Sequence, residues 1–337
     1  MNDALPTLLF PFERGLLKAP RTGERVVFFG ASAGLQLPPD FAADLQVVQG
    51  HRPDYLALER AGFCVAPQAE GEGYDAAFLF LGRHRRENEE RLAEALRRMR
   101  ADGLILAAGT KRDGASGVAK RLSELLPLED RLSKHHGVVF WLRRPAVPDE
   151  AVLAALASPA RTTLEGYETA VGGFSEDGAD PGSRLLADNL PSDIAGAVAD
   201  FAAGWGYLSL RLAKQPSITA IDLYEAHHAS LEAAKRNFVA HAPEAACGFF
   251  WHDLLSEPVT RRYDAIVMNP PFHRSRAAEP DMGRAMIGVA ANALAPGGRL
   301  FLVANRPLPY ETAIASSFKH HGEICRDATY KVLWGRK

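Results

Sequence analysis

Two stretches of this chain repeat one pattern of apolar and polar positions. Tyr74–Arg86 reads YDAAFLFLGRHRR and Tyr263–Ser275 reads YDAIVMNPPFHRS. Each is an acid-tipped apolar run of strand length that gives way to polar and basic residues. A segment of helical character follows each, ENEERLAEALRRM in the first and MGRAMIGVAANAL in the second. Then comes a glycine stop, ADGLILAAG or APGGRLFLVAN, with a new apolar run, and HHGVVFWLRR and DATYKVLWGRK echo each other further on. Strands alternating with helices predict parallel α/β sheets covered on both faces. The shared order predicts a duplicated unit. A length of 337 residues, too great for one ordinary core, agrees with two domains. An Ala- and Pro-rich stretch with one short helical segment marks the boundary. The expected division is a first domain over 1–150, a linker over 151–165 and a second domain over 166–337.

The halves differ where chemistry would sit. Ala195–Ala213 reads AGAVADFAAGWGYLSLRLA: a strand closed by Asp200, a tight turn of small residues, then an amphipathic helix. Ala202, Ala203, Gly204 and Gly206 let a ligand approach the backbone there. The corresponding ERVVFFGASAGLQLPP lacks the closing acid and has prolines in place of the helix. In a doubly wound sheet, ligands bind at the carboxyl ends of strands, beside the switch in strand order. The run ITAIDLY is read as a second strand ending in Asp222, whose carboxylate can accept from both hydroxyls of a ribose. FFWHDLL places Asp253 at a third strand end, where it can accept from an adenine amino group. Either acid can equally be a helix N-cap, and a G-x-G turn alone is common.

The fourth strand end is more specific. It reads Asn269-Pro270-Pro271-Phe272, where the first half has Phe80-Leu81-Gly82-Arg83. Two prolines cannot continue a ladder, so the strand stops and its end is stiff. An exocyclic amine conjugated with a planar base is a poor nucleophile. The Asn269 side-chain oxygen and the Pro270 carbonyl can accept its hydrogens and free its lone pair toward an electrophilic methyl group. Preset acceptors lower the barrier by position and electrostatics. Phe272 can stack on the base, a contact worth about 1–3 kcal/mol.

Composition narrows the picture. Formal net charge is −2, so any nucleic-acid binding depends on local patches. Arg274, Arg276 and Arg284 flank the proline pair and can meet phosphates. The arginines of the first half share their helix with Glu87, Glu89, Glu90 and Glu94 at pairing distance, which also fits a solvated face. Cys64, Cys247 and Cys325 are far apart, and the histidines come as doublets whose neighbours diverge, so no metal is expected. The N-terminus does not read as a signal peptide, and no run of about 18 apolar residues suggests a membrane span. A cytoplasmic location and a monomer are expected.

The chain resembles a known family through GGFSEDGADPGSRLLADNL, ADFAAGWGYLS, AIDLYEAHHASLEAAKRN, NPPFH, LAPGGRLFLVANRPLPYE and TYKVLWGRK. These segments, spanning most of 170–337, are similar to the class I S-adenosylmethionine-dependent methyltransferases of the small-domain type. More narrowly they resemble the bacterial ribosomal RNA small-subunit guanine-N2 methyltransferases. The resemblance implies two tandem Rossmann-like α/β domains, each on a seven-stranded, mostly parallel sheet. The N-terminal domain would be degenerate, serving RNA docking or structural support. It implies methyl transfer from S-adenosylmethionine to a guanine N2 in 16S ribosomal RNA, with ribosomal RNA or the small subunit as partner. Asp200, Ala202, Gly204, Gly206, Asp222, Leu223, Asp253, Leu254, Phe174, Ser183 and Asn269 would hold the cofactor. Asn269, Pro270 and Phe272 would carry catalysis. Pro271, Phe272, His273, Arg274 and Arg276 would meet the substrate. One departure is Ala202, where the family has the first glycine of D-x-G-x-G-x-G; a negative φ there would accommodate alanine. Alternative acceptors are a large-subunit guanine, a DNA adenine N6 or a protein glutamine. The last two resemble this motif with Tyr in place of Phe272. A non-catalytic RNA-binding assembly factor is the reading from another class.

Overall fold

A computed structural model describes residues 3–157, 161–271 and 280–337. The chain divides into two compact units, 1–159 and 160–337. The first contains α1 (Leu5–Glu13), β1 (Arg25–Phe29), β2 (Asp44–Val48), α2 (Arg52–Arg60), β3 (Val65–Ala66) and β4 (Tyr74–Leu81). It continues through α3 (Arg85–Arg98), β5 (Met99–Thr110), α4 (Ala115–Leu125), β6 (Asp130–Lys134), β7 (Gly137–Arg143) and α5 (Glu150–Leu156). The segment read as linker therefore begins as a helix of the first unit. Asp149 caps α5 by accepting from the Ala151 amide, and Val152, Leu153 and Leu156 are buried in that unit's core.

The second unit opens with a short hairpin, β8 (Arg161–Thr162) and β9 (Glu168–Thr169), then α6 (Pro181–Asp188), β10 (Gly196–Phe201) and α7 (Tyr207–Leu212). Next come β11 (Ile218–Glu225), α8 (His228–His241), β12 (Cys247–Trp251), β13 (Tyr263–Met268) and α9 (Pro280–Ala293). It closes with β14 (Leu294–Asn305), α10 (Glu311–Ser317), β15 (His320–Arg326) and β16 (Tyr330–Arg336).

The sheets have the same topology. One is ordered β3-β2-β1-β4-β5-β7-β6, the other β12-β11-β10-β13-β14-β16-β15. In each, only the strand next to the far edge, β7 or β16, runs antiparallel to its neighbours. Both sheets are covered on both faces. Along β13, Ile266 and Met268 point into one cluster while Ala265 and Val267 point into the other. That is why this strand reads as an unbroken apolar run.

The duplication extends to side-chain contacts. Tyr74 donates to Gln46 Oε1 at 2.8 Å, and Tyr263 donates to Asp222 Oδ2 at 2.7 Å. Gln46 and Asp222 hold the same register, opposite Val27 and Ala199 of the central strands. Asp75 Oδ2 accepts from the Arg25 amide, as Asp264 Oδ2 accepts from the Ala197 amide. His51 N–H donates to Gln49 Oε1 at 2.8 Å, and His227 N–H donates to Glu225 Oε1 at 2.7 Å. The copies diverge at the carboxyl ends of the central strands. No helix separates β1 from β2, whereas α7 follows β10. In the first unit Arg91 Nη1 reaches across to donate to the Phe80 carbonyl, and a Cβ on Gly30 would lie 2.5 Å from that nitrogen. A guanidinium thus fills the crevice between the ends of β1 and β4.

Candidate active site

Strand order reverses between β10 and β13, and the crevice outside their carboxyl ends is where such a sheet takes a ligand. In the second unit it is lined by the turn after β10, the end of β13 and the segment leading into α6, through Phe174, Ser183, Ala202, Gly204, Leu208 and Asn269.

The turn after β10 is sharply bent. Ala202, Gly204 and Gly206 have φ of 60°, 56° and 91°. The negative φ that would make alanine comfortable at 202 is not what the fold adopts. A non-glycine residue in this region costs roughly 1–2 kcal/mol. Ala202→Gly is therefore expected to raise the unfolding free energy of the second unit by about 1 kcal/mol, read by denaturant titration. The two glycines serve different ends. A Cβ on Gly204 would meet nothing within 4 Å, so this residue opens onto the crevice. A Cβ on Gly206 would press on Ala234 of α8 at 3.3 Å, so this residue permits close helix–sheet packing. Trp205 does not obstruct the crevice. Its ring is buried, with Nε1 donating to the Ser175 carbonyl, and Asn237 Nδ2 donates to its carbonyl.

Asp200 is fully buried at the end of β10, and its Oδ2 accepts from both the amide and the hydroxyl of Ser209. Burial pushes its carboxyl up to about 7; the Ser209 hydrogen bonds oppose this and the charge of Glu225 adds to it. The folded chain therefore binds a proton that the unfolded chain, titrating near 3.8, has already lost. The resulting contribution to stability is complete below the unfolded value and disappears as pH rises toward 7. Asp200→Asn mimics the protonated acid, and thermal melts from pH 4 to 7 should lose this downward slope.

Asp222 is not at a strand end. β11 runs three residues further, and Asp222 lies opposite Ala199 and Gly248 inside the sheet. It is 3% exposed, and its Oδ2 accepts from Tyr263 and Arg261. Leu223, read as its companion at the cofactor, is wholly buried in the core. The acid at the strand end is Glu225, one position beyond the Phe201–Tyr224 pair. Its Oε2 accepts from the Gly204 amide at 2.8 Å, which places a carboxylate against the turn. Asp253 follows β12 and caps its own turn, its oxygens accepting from the Leu255 amide and the Ser256 hydroxyl; Leu254 beside it is buried.

Asn269 and Pro270 follow β13 and are buried, while Pro271 is exposed. Phe272, His273, Arg274 and Arg276 lie outside the described residues. Asn269 Nδ2 donates to Asp180 Oδ2 at 3.0 Å and to Ser183 Oγ at 2.8 Å. Its Oδ1 is buried with no partner among the described residues. Ser183, expected at the cofactor, accepts from the Asn269 amide through its Oγ. The sequence reading missed Asp180 in this role, although Asp-Pro opening a helix is a strong N-cap signal. Phe174 is half-exposed at the mouth, in a loop tied down by Thr169 Oγ1 donating to the Glu176 carbonyl.

An acceptor with no partner, a carboxylate at the ribose position and an open glycine turn fit a nucleoside cofactor carrying a positive charge. Comparisons agree. The family model "Methyltransferase small domain" matches residues 167–334, nearly the whole second unit. Ribosomal RNA small subunit methyltransferase C of Salmonella newport is 28% identical over 270 residues, covering 80% of this chain and 77% of that protein. Its counterpart from Escherichia coli O7:K1 is 30% identical over 230 residues, covering 68% and 65%. The structure of T. thermophilus 16S rRNA N2 G1207 methyltransferase (RsmC), in complex with AdoMet and guanosine, aligns with a TM-score of 0.77 at 27% identity. That alignment covers 98% of this chain and 92% of that one. The chain belongs to the class I S-adenosylmethionine-dependent methyltransferases, and it is an enzyme whose cofactor is S-adenosylmethionine. Within that class it is RsmC-like, with two methyltransferase-like domains in tandem.

Proposed function

We propose that this chain transfers a methyl group from S-adenosylmethionine to the exocyclic N2 of a guanine in small-subunit ribosomal RNA. The observation that carries this is the Asn269 amide, clamped through its nitrogen with its buried oxygen left open beside the cofactor turn. The cofactor supplies an electrophilic methyl on a sulfonium. The chain supplies position. Asn269 Oδ1 and the Pro270 carbonyl accept the two N2 hydrogens, so the amine lone pair turns toward the methyl carbon. The methylated amine is acidic and gives its proton to solvent, so no strong base is needed. Glu225 would take the two ribose hydroxyls, the role that the sequence suggests for Asp222. Gly204 would line the methionine portion, Asp253 would accept from the adenine amine, and Phe272, outside the described residues, would stack on the guanine.

The first unit is a copy without this site. Gln49 stands where the second has Glu225, and Arg91 occupies the crevice. Along α3, Arg85 pairs with Glu89 and Arg98 with Glu94, as on a solvated face, while Arg91 pairs with Glu87 beside the crevice. Its part is structural support or RNA docking. No helix among the described residues is long and apolar enough to cross a membrane. A ribosomal RNA substrate supports a cytoplasmic location. No group of three or more metal-ligating side chains forms among the described residues.

The test is transfer of labelled methyl from S-adenosylmethionine to unmodified small and large ribosomal subunits and their naked RNAs, followed by digestion to nucleosides. Label is expected in N2-methylguanosine from small-subunit material. Label confined to large-subunit RNA, or no label in any of them while the cofactor is still bound, would overturn the reading.

A further inference from the structure

The segment Asp180-Pro181-Gly182-Ser183 packs four roles into one helical turn. Asp180 caps α6 by accepting from the Ser183 amide at 2.8 Å. Pro181 sits in the first turn, where its missing N–H costs nothing. Gly182 has no side chain because a Cβ would lie 2.9 Å from the Tyr330 ring, so α6 seats directly on the start of β16. That seating brings the Asp180 carboxylate and the Ser183 hydroxyl, both lining the crevice, onto the Asn269 nitrogen.

An asparagine amide is nearly symmetric in shape and opposite in function at its two ends. With Oδ1 toward the target amine it accepts a hydrogen. Turned over, it would present N–H to N–H and set its oxygen against the Asp180 carboxylate. We infer that Asp180 and Ser183 are positioning residues that fix the Asn269 amide with its oxygen toward the target amine. A single carboxylate oxygen, Asp180 Oδ2, serves both the helix cap and the clamp, so formation of α6 and orientation of the amide are one event. Stripped of these two acceptors, the amide rotates between a productive and an unproductive face, and the barrier rises without any loss of cofactor contacts. The inference rests on the proposed guanine-N2 reading for what Asn269 holds, but the clamp can be read without it.

The test therefore has two arms. In the first, side-chain amide exchange is followed by ¹⁵N NMR on the full chain, with the Asn269 signals assigned by their absence in Asn269→Ala. Slow exchange in the native chain, lost in Ser183→Ala, is expected; an amide exchanging at the solvent rate in the native chain overturns the clamp. In the second arm, kcat and the KM for S-adenosylmethionine are measured. Asp180→Ala and Ser183→Ala are expected to lower kcat by about 10- to 100-fold, the scale of a misplaced reacting group. The KM should stay within about threefold, since Asp180 Oδ2 and Ser183 Oγ are both engaged with the Asn269 nitrogen. Asp180→Asn keeps a cap and an oxygen able to accept both hydrogen bonds, and should recover most of kcat. Unchanged kcat in Asp180→Ala, or a KM that rises in step with the loss, overturns the inference. A native chain that methylates no RNA while its Asn269 amide stays protected overturns the substrate reading and leaves the clamp standing.

Discussion

Asn269→Ala is expected to lower kcat by on the order of 100- to 1000-fold, the scale of losing one preset polar partner in a transition state. Cofactor affinity should stay within about threefold, because the proposed ligands of the ribose and the methionine portion lie on other strands. The expectation follows from geometry. Asn269 is fixed by the stop of β13, by Pro270 and by two hydrogen bonds through its nitrogen. Only its oxygen is unused. Removing the amide leaves Asp180 and Ser183 paired with each other through the helix cap, so α6 persists while the acceptor is gone. Calorimetric titration with S-adenosylmethionine, beside a methyl-transfer assay, separates the two effects. Equal loss of both would mean that Asn269 supports the fold of the crevice.

The second large effect separates two acids three residues apart. Glu225→Ala should weaken S-adenosylmethionine binding by roughly 100-fold or more, since two hydrogen bonds to a charged group contribute about 1.5–3 kcal/mol each. Asp222→Ala should leave that affinity within a few-fold and instead destabilise the second unit by roughly 1–3 kcal/mol, the cost of losing the buried acceptor shared by the Tyr263 hydroxyl and Arg261. In the native chain, burial and hydrogen bonding to Tyr224 and Asp222 push the Tyr263 hydroxyl far up, so it stays a neutral donor to Asp222. Melting curves with and without cofactor make the comparison. A weaker affinity from Asp222→Ala with normal stability would restore the first reading of that residue.

The two acids show where sequence reading stops. The run ITAIDLY is apolar enough to end at Asp222, and nothing in its periodicity says that the ladder continues to Glu225. Register against β10 decides it. A signal was nonetheless present in the internal repeat. Gln46-Val47-Val48-Gln49-Gly50-His51 lines up with Asp222-Leu223-Tyr224-Glu225-Ala226-His227. The Tyr74–Gln46 contact is present in the first copy as well, which supports a structural part for Asp222. The sheets themselves were legible, because strands buried on both faces advertise themselves as apolar runs and glycine marks their starts. Asn269 was legible because two prolines have few other uses. Asp180 was not, since its role depends on where α6 lands relative to β13, a distance of 89 residues along the chain.

Arg91 gives the first unit a property of its own. Its guanidinium is a cation tethered in the crevice, in place of a diffusible one, and it is present at every cofactor concentration. A bound cofactor stabilises the fold by RT ln(1 + [L]/Kd), which varies with its concentration. The cation in the first unit's crevice carries no such dependence, since it is part of the chain.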